Sequence, residues 1–160
     1  MKRWCIGLML SGWGLLIPLV AQAEKETSNP LLFTSWDTME PDKIASIWLI
    51  KKYVSDKAEF RFYPKDSLLE EGIPFDIPTA EFRRKANLSC YETLLKHYHI
   101  TDPRAVRIGK MIHDMESNLG RVPFDEETDQ LYNELVRLIL ACDKGTPCVQ
   151  PGLEILDKLK

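Results

Sequence analysis

Ala105, Ile108, Ile112, Met115 and Leu119 recur at three- and four-residue spacing. That period is one face of an α-helix and does not fit the two-residue alternation of a strand. A stripe of this length commits the second half of the chain to helices that share a core. The flanking signals agree. Ser89 followed by Glu92 matches a capping box, and Asp102-Pro103 places a capping acid before a first-turn proline. Asp125 opens another helix, carried by Leu131, Leu135, Leu138 and Cys142 and stopped near Gly145. Leu153, Leu156 and Leu159 predict a short terminal helix after Pro151.

The N-terminal half reads differently. Leu31 to Trp36 is a short β-like run. A helix follows with Pro41 in its first turn and Ile44, Ile47, Trp48 and Ile50 inside it. Its apolar positions extend beyond one stripe, so other elements should cover most of it. Ala58, Phe60 and Phe62 then alternate with Glu59, Arg61 and Tyr63, the pattern of a half-buried strand. Ile73 to Pro78 is bounded by prolines and suits an edge strand or an irregular segment. Residues 31–160 therefore read as one α+β domain, mainly helical, with a small β element in its N-terminal half.

Residues 1–23 stand apart. Lys2 and Arg3 lead into an apolar run from Cys5 to Val20 that closes on Ala21-Gln22-Ala23. Basic start, apolar middle and small-x-small exit describe a signal peptide, with cleavage expected after Ala23. The run is broken by Gly7, Gly12, Gly14 and Pro18, which argues against a stable membrane span, an uncleaved anchor being the alternative reading. Residues 24–30 then form a polar, flexible leader, and the expected location is the periplasm. The whole chain carries 21 basic and 24 acidic residues, a net charge of −3, and loss of Lys2 and Arg3 makes the remainder more acidic still. General nucleic-acid binding is not expected of such a chain, and any anion site has to be built locally. In an oxidising compartment, Cys142 and Cys148 flank the turn-rich Asp-Lys-Gly-Thr-Pro and can form a short-loop disulfide. Alternatively Cys142 packs as a small apolar residue, and Cys90 is the odd cysteine.

None of the common catalytic signatures is present: no glycine-rich phosphate loop, no Gly-x-Ser-x-Gly, no His-Glu-x-x-His and no Cys-x-x-Cys. The order of less common segments is more telling. Pro41-Asp42-Lys43-Ile44-Ala45-Ser46-Ile47-Trp48-Leu49-Ile50 is followed by Ala58-Glu59-Phe60, by Gly72-Ile73-Pro74-Phe75-Asp76-Ile77 and by Ala80-Glu81-Phe82. Cys90-Tyr91-Glu92-Thr93-Leu94-Leu95 and Ile112-His113-Asp114 come after them. This series resembles the chromate resistance exported protein family, whose domain also forms the C-terminal half of chromate-sensing regulators. The resemblance is closest over residues 31–116. It implies a role in chromate resistance without a DNA-binding half, with chromate or a similar oxyanion as ligand. It specifies neither a protein partner nor a cofactor, although a divalent metal ion would suit some of the side chains.

Chromate is a tetrahedral dianion, so a site for it needs guanidinium, ammonium or backbone N–H donors. The candidates are Lys43 and Lys51 on the first helix, and Arg83, Arg84 and Lys85 ahead of Ser89, where a helix N-terminus would add its dipole. The bland reading of Arg83 to Lys85 is a solvated basic turn. His113 falls outside the apolar stripe of its helix with Glu116 one turn on, a pair able to present two metal ligands, with Glu92, Asp42 or Glu81 supplying more. The same pair can equally be a surface ion pair, and Glu92 is already explained by its capping role. Against the family pattern, Arg84 replaces a histidine, Ser35-Trp36 replaces a Thr-Arg pair and Glu116 replaces an aspartate. The first change removes an imidazole from a metal site and adds a cation to an anion site. Three functions compete: a periplasmic accessory that binds an oxyanion or metal without turnover, a metalloenzyme using His113 and Glu116, and a non-catalytic interaction module for a transporter or partner. Turnover is the less favoured expectation.

Overall fold

The computed structural model describes residues 30–117, 124–142 and 148–159. The signal segment, most of the leader, Leu119 and Gly145 lie outside the described residues. Strand β1 (Leu32–Trp36) leads through helix α1 (Pro41–Leu49) to strand β2 (Glu59–Tyr63), and a two-residue strand β3 (Ile73–Pro74) completes the sheet. The order is β2-β1-β3, and both pairings are parallel. Phe33 sits opposite Phe60 on one side and Ile73 on the other. Phe33, Phe60 and Phe75 then pack ring against ring, with centroids 5.8–6.1 Å apart, and this cluster supplies the apolar face of a sheet too small to bury one by area alone. Pro74 is tolerated because β3 is an edge, as its sequence implied. Gly72, at φ +70°, admits β3 to that edge: a side chain there would meet the Leu32 carbonyl oxygen and the Thr34 methyl at 2.8 Å.

Four helices follow: α2 (Cys90–His97), α3 (Pro103–Ser117), α4 (Glu126–Ala141) and α5 (Val149–Lys158). All four pack on α1, which is buried from Asp42 to Leu49, in keeping with apolar positions that extend beyond one stripe. The architecture is α+β with helices dominating the second half. Capping follows the sequence. Ser89 Oγ accepts the Glu92 N–H while the Glu92 carboxylate accepts the Ser89 N–H, and Asp125 accepts the Thr128 N–H. Asp102 accepts the N–H groups of Arg104 and Ala105. One boundary moves: α5 begins at Val149, ahead of Pro151, because a first-turn residue has no intrahelical N–H bond for proline to remove. Beyond Leu49, α1 widens into one π-helical turn, Ile50–Val54. That turn brings Tyr53 edge-on to Trp48, with ring centroids 5.7 Å apart. Trp48 is also the anchor of α5. Its indole N–H donates to Asp157 at 2.9 Å, and the Arg104 guanidinium covers its ring while donating to the last carbonyls of α5. Cys142 and Cys148 lie at disulfide distance between α4 and α5, with Cα atoms 5.8 Å apart. Among the described residues, no helix is long and apolar enough to cross a membrane.

Candidate functional site

Because the three strands run parallel, their carboxyl ends lie on one side. The chain leaves β1 for β2 on one flank and later returns to β3 on the other. This is a topological switch point, the place where open parallel sheets form a crevice for ligands. The crevice is present as a cleft of about 450 Å³. Its walls come from the end of each strand and the segment after it: Trp36 at the end of β1 with Thr38 and Glu40 beyond it, Lys65 after β2, and Asp76, Ile77 and Pro78 after β3. Lys43, Arg83 and Arg84 complete it. Four cations and two acids in so small a volume contrast with an acidic chain.

Each wall is held by a specific bond. The Trp36 indole N–H donates to the Ser67 carbonyl at 3.0 Å, which fixes the loop that carries Lys65. Lys43 is buried at the base. Its ammonium donates to the Trp36 carbonyl at 3.1 Å and to the Thr38 carbonyl, and lies 3.6 Å from the Asp76 carboxyl. Arg83 donates to the Ala80 carbonyl. Arg84, half exposed, forms a fork on Glu116 of α3, donating to its carboxylate at 2.8 Å and to its backbone carbonyl. Asp76 adopts φ +52°, a left-handed conformation that Asp tolerates better than most residues.

Beneath the cleft lies Asp42. Its two oxygens accept the backbone N–H groups of Cys90 at 2.6 Å and Tyr91 at 2.9 Å, and Ser46 donates at 3.4 Å. Burial raises its carboxyl to about 7, against the lowering effect of those donors. Burial, and then the charge of Asp42, hold Asp76 well above the usual carboxylate range, with Lys43 opposing. Burial also pushes the Cys90 thiol up, and its Sγ donates to the Phe82 carbonyl, so Cys90 is a core thiol rather than a nucleophile.

These positions sort the residues singled out from sequence. Lys43, Arg83 and Arg84 meet at the cleft. Lys51 does not: its ammonium donates to Ala58 and lies over the Phe60 ring. Lys85 lines a separate pocket of about 190 Å³, shared with Ser89, His113, Glu116 and Arg84. The expected contribution of the α2 N-terminus to an external anion is corrected, because the carboxylate of Asp42 already occupies it. The His113–Glu116 pairing is corrected as well. His113 Nδ1 lies 2.9 Å from Glu92, whereas Glu116 holds Arg84. Among the described residues no three His, Cys, Asp or Glu side chains converge as metal ligands: of the proposed set, His113 and Glu92 face each other, while Glu116 holds Arg84 and Asp42 holds the N–H groups of α2. Glu81 is exposed and does not line the cleft. Lys65, Glu40 and Asp76 were not distinguishable as site residues in sequence. The usable signal was their position directly after strands that would prove parallel.

Fold and cleft together describe an α+β domain with a cationic crevice at the switch point of a parallel sheet. The model of the family described as ChrB, C-terminal domain, matches residues 33–160, and the chain belongs to that family. Its role is therefore related to chromate resistance. No curated protein and no solved structure matches the chain.

Proposed function

We propose that the protein is an exported accessory of chromate resistance that binds a tetrahedral oxyanion in the cleft at the carboxyl ends of β1, β2 and β3, without turning it over. The observation that supports this most is the convergence of Lys43, Lys65, Arg83 and Arg84 on one cleft at a switch point. Lys65 and Arg83 have no acidic side chain bonded to them among the described residues, so their charge is available to a ligand. Lys43 is fully engaged and contributes a fixed positive potential from the floor. Arginine forks suit the paired oxygens of a tetrahedral anion. Export rests on the pattern of residues 1–23.

Isothermal titration of the protein with chromate and sulfate tests the site. One anion per chain should bind, and Lys65→Ala with Arg83→Ala should weaken it by about tenfold or more, since each charge-assisted contact contributes about 1.5–3 kcal/mol. Absence of heat with either anion would sink the reading. So would binding that both substitutions leave unchanged.

A further inference from the structure

We propose that Asp76 holds a proton at the floor of the cleft, and that through it the cleft selects tetrahedral oxyanions bearing no proton of their own, such as sulfate and the chromate dianion, over proton-bearing ones such as hydrogen phosphate. The inference rests on the oxyanion reading above and deepens it from charge to protonation state.

The shell beneath the cleft contains two carboxyls, Asp42 and Asp76, and one ammonium, Lys43. One negative charge is therefore left without a local counter-charge, and burial makes an uncompensated charge costly. The geometry decides which carboxyl keeps a proton. Both oxygens of Asp42 face N–H donors from the first turn of α2, so a proton there would point at other protons. The carboxyl of Asp76 receives no hydrogen bond from the described residues, and its nearest cation is Lys43 Nζ at 3.6 Å, which donates instead to Trp36 and Thr38. Asp42 thus ionises first and Asp76 last, in agreement with the direction in which burial and the Asp42 charge move Asp76. The other groups around Asp76 act as follows. Glu40 at the start of α1 and Glu116 on α3 favour the proton, and Lys43 on α1 opposes it. Cys90 on α2 is a neutral thiol, and Lys65, Arg83 and Arg84 stand on the walls.

A protonated carboxyl donates an O–H to a ligand that only accepts. Sulfate and the chromate dianion only accept. Hydrogen phosphate brings its own O–H, which needs an acceptor: at the floor it would meet a donor, and the one acid on the wall, Glu40, is exposed to competing water. Leaving a buried donor facing a donor removes much of the binding energy, which is how polar sites discriminate strongly. Once Asp76 ionises, its charge repels any dianion.

The experiment is a calorimetric titration of the full chain with sulfate and with inorganic phosphate between pH 6 and pH 9.5, in two buffers of different ionisation heat. Asp76→Asn is the companion variant, because asparagine also tolerates the left-handed backbone at this position. Wild type should bind sulfate about tenfold or more tighter than phosphate, with sulfate affinity falling toward the alkaline end by up to about tenfold per pH unit, the limit for one linked proton. In that falling range the buffer dependence should report proton uptake with sulfate. Asp76→Asn should flatten the profile and narrow the preference, since an amide both donates and accepts. Equal affinity for phosphate and sulfate in wild type overturns the inference. The same holds if Asp76→Asn keeps the wild-type profile and selectivity, and in both cases the oxyanion site itself stands. No binding of any anion to wild type overturns the site and the inference together.

Discussion

Asp42 Oδ2 lies 2.6 Å from the backbone nitrogen of Cys90, 48 positions along the chain, so the first turn of α1 caps the first turn of α2. An internal carboxylate takes the place an external anion would occupy at that helix end. The consequence is structural and electrostatic together: α2 is fastened to α1, and an acid that becomes a negative charge only above about pH 7 is set under the cleft. Asp42→Ala should leave the Cys90 and Tyr91 N–H groups unsatisfied in the core and cost about 3 kcal/mol. Urea unfolding measures this, and a loss below about 1 kcal/mol would show that the contact carries little.

The same residue gives the fold a pH dependence of definite sign. Burial raises folded Asp42 to about 7, whereas its ordinary value is 3.8. Between those values the unfolded chain releases the proton and the folded chain keeps it. The unfolding free energy attributable to Asp42 therefore falls as pH rises from about 4 to about 7, and levels off above. Asp42→Asn should remove that part of the slope. Denaturation midpoints at half-unit pH intervals are the measurement, and an unchanged slope in the variant would refute the assignment.

Gly152 on α5 faces Ile44 on α1, one turn before Trp48, with no room between them for a further methyl group. A methyl group at position 152 would fall on Ile44 Cγ2 and also touch Leu138 at 3.5 Å. Gly152→Ala gains helix propensity but overpacks this contact, with an expected net loss of about 1–3 kcal/mol. Moving the branch point with Ile44→Leu removes the Cγ2 atom, so the double variant should lose less than the sum of the two single ones. Strict additivity in a double-mutant cycle would place the strain elsewhere.

The elements of this fold were legible where one local rule decided them. The Ser89–Glu92 capping box, the Asp102 and Asp125 caps, the first-turn Pro41 and the alternation from Ala58 to Phe62 each act within a few residues, and each marks an element end or face in the structure. The site was legible only in part because it is made by long-range contacts. Arg83 and Arg84 stood out as a charge run, but nothing local tells which of Lys43, Lys51 and Lys65 converge with them. That follows from parallel pairing, which puts the ends of β1, β2 and β3 together. Asp42 suits a metal ligand by residue type alone. Its partners belong to another helix, and no spacing within α1 announces them. The helical spacing of His113 and Glu116 suggests a pair, but each is bonded to a residue outside α3, His113 to Glu92 and Glu116 to Arg84.

The trajectory of Trp48 yields a more local test. Its indole N–H is satisfied by Asp157 alone among the described side chains, at 2.9 Å, and that carboxylate is held below its ordinary range chiefly by this bond. Asp157→Ala should free the indole and loosen the end of α5, with a stability loss of about 1–2 kcal/mol. Asp157→Asn retains an acceptor and should lose less than half as much. Equal effects of the two variants would assign the contribution to the ion pairs with Lys52 and Arg104 instead.

Among the described residues Arg84 is the one cleft cation bonded to an acid outside the cleft, and this makes Glu116 an internal competitor for the ligand. The carboxylate and the backbone carbonyl of Glu116 together hold the guanidinium fork toward α3, while the same guanidinium also lines the cleft. An arriving oxyanion has to share or displace that fork. Burial raises Glu116 and Arg84 lowers it, and neutralising the carboxyl removes the charge that holds Arg84 while relieving a buried acid. Glu116→Gln should therefore raise sulfate affinity several-fold at neutral pH, with only a modest stability change, since the Arg84 end of the pair is half exposed and an amide still accepts from it. Glu116→Ala, which still leaves the backbone carbonyl as an acceptor, should raise it in the same direction. Arg84→Ala should weaken binding and abolish the effect of both. Unchanged or weaker affinity in Glu116→Gln would mean that Arg84 serves only to tie the loop to α3, and the cleft would then be reduced to Lys65 and Arg83 over the fixed charge of Lys43.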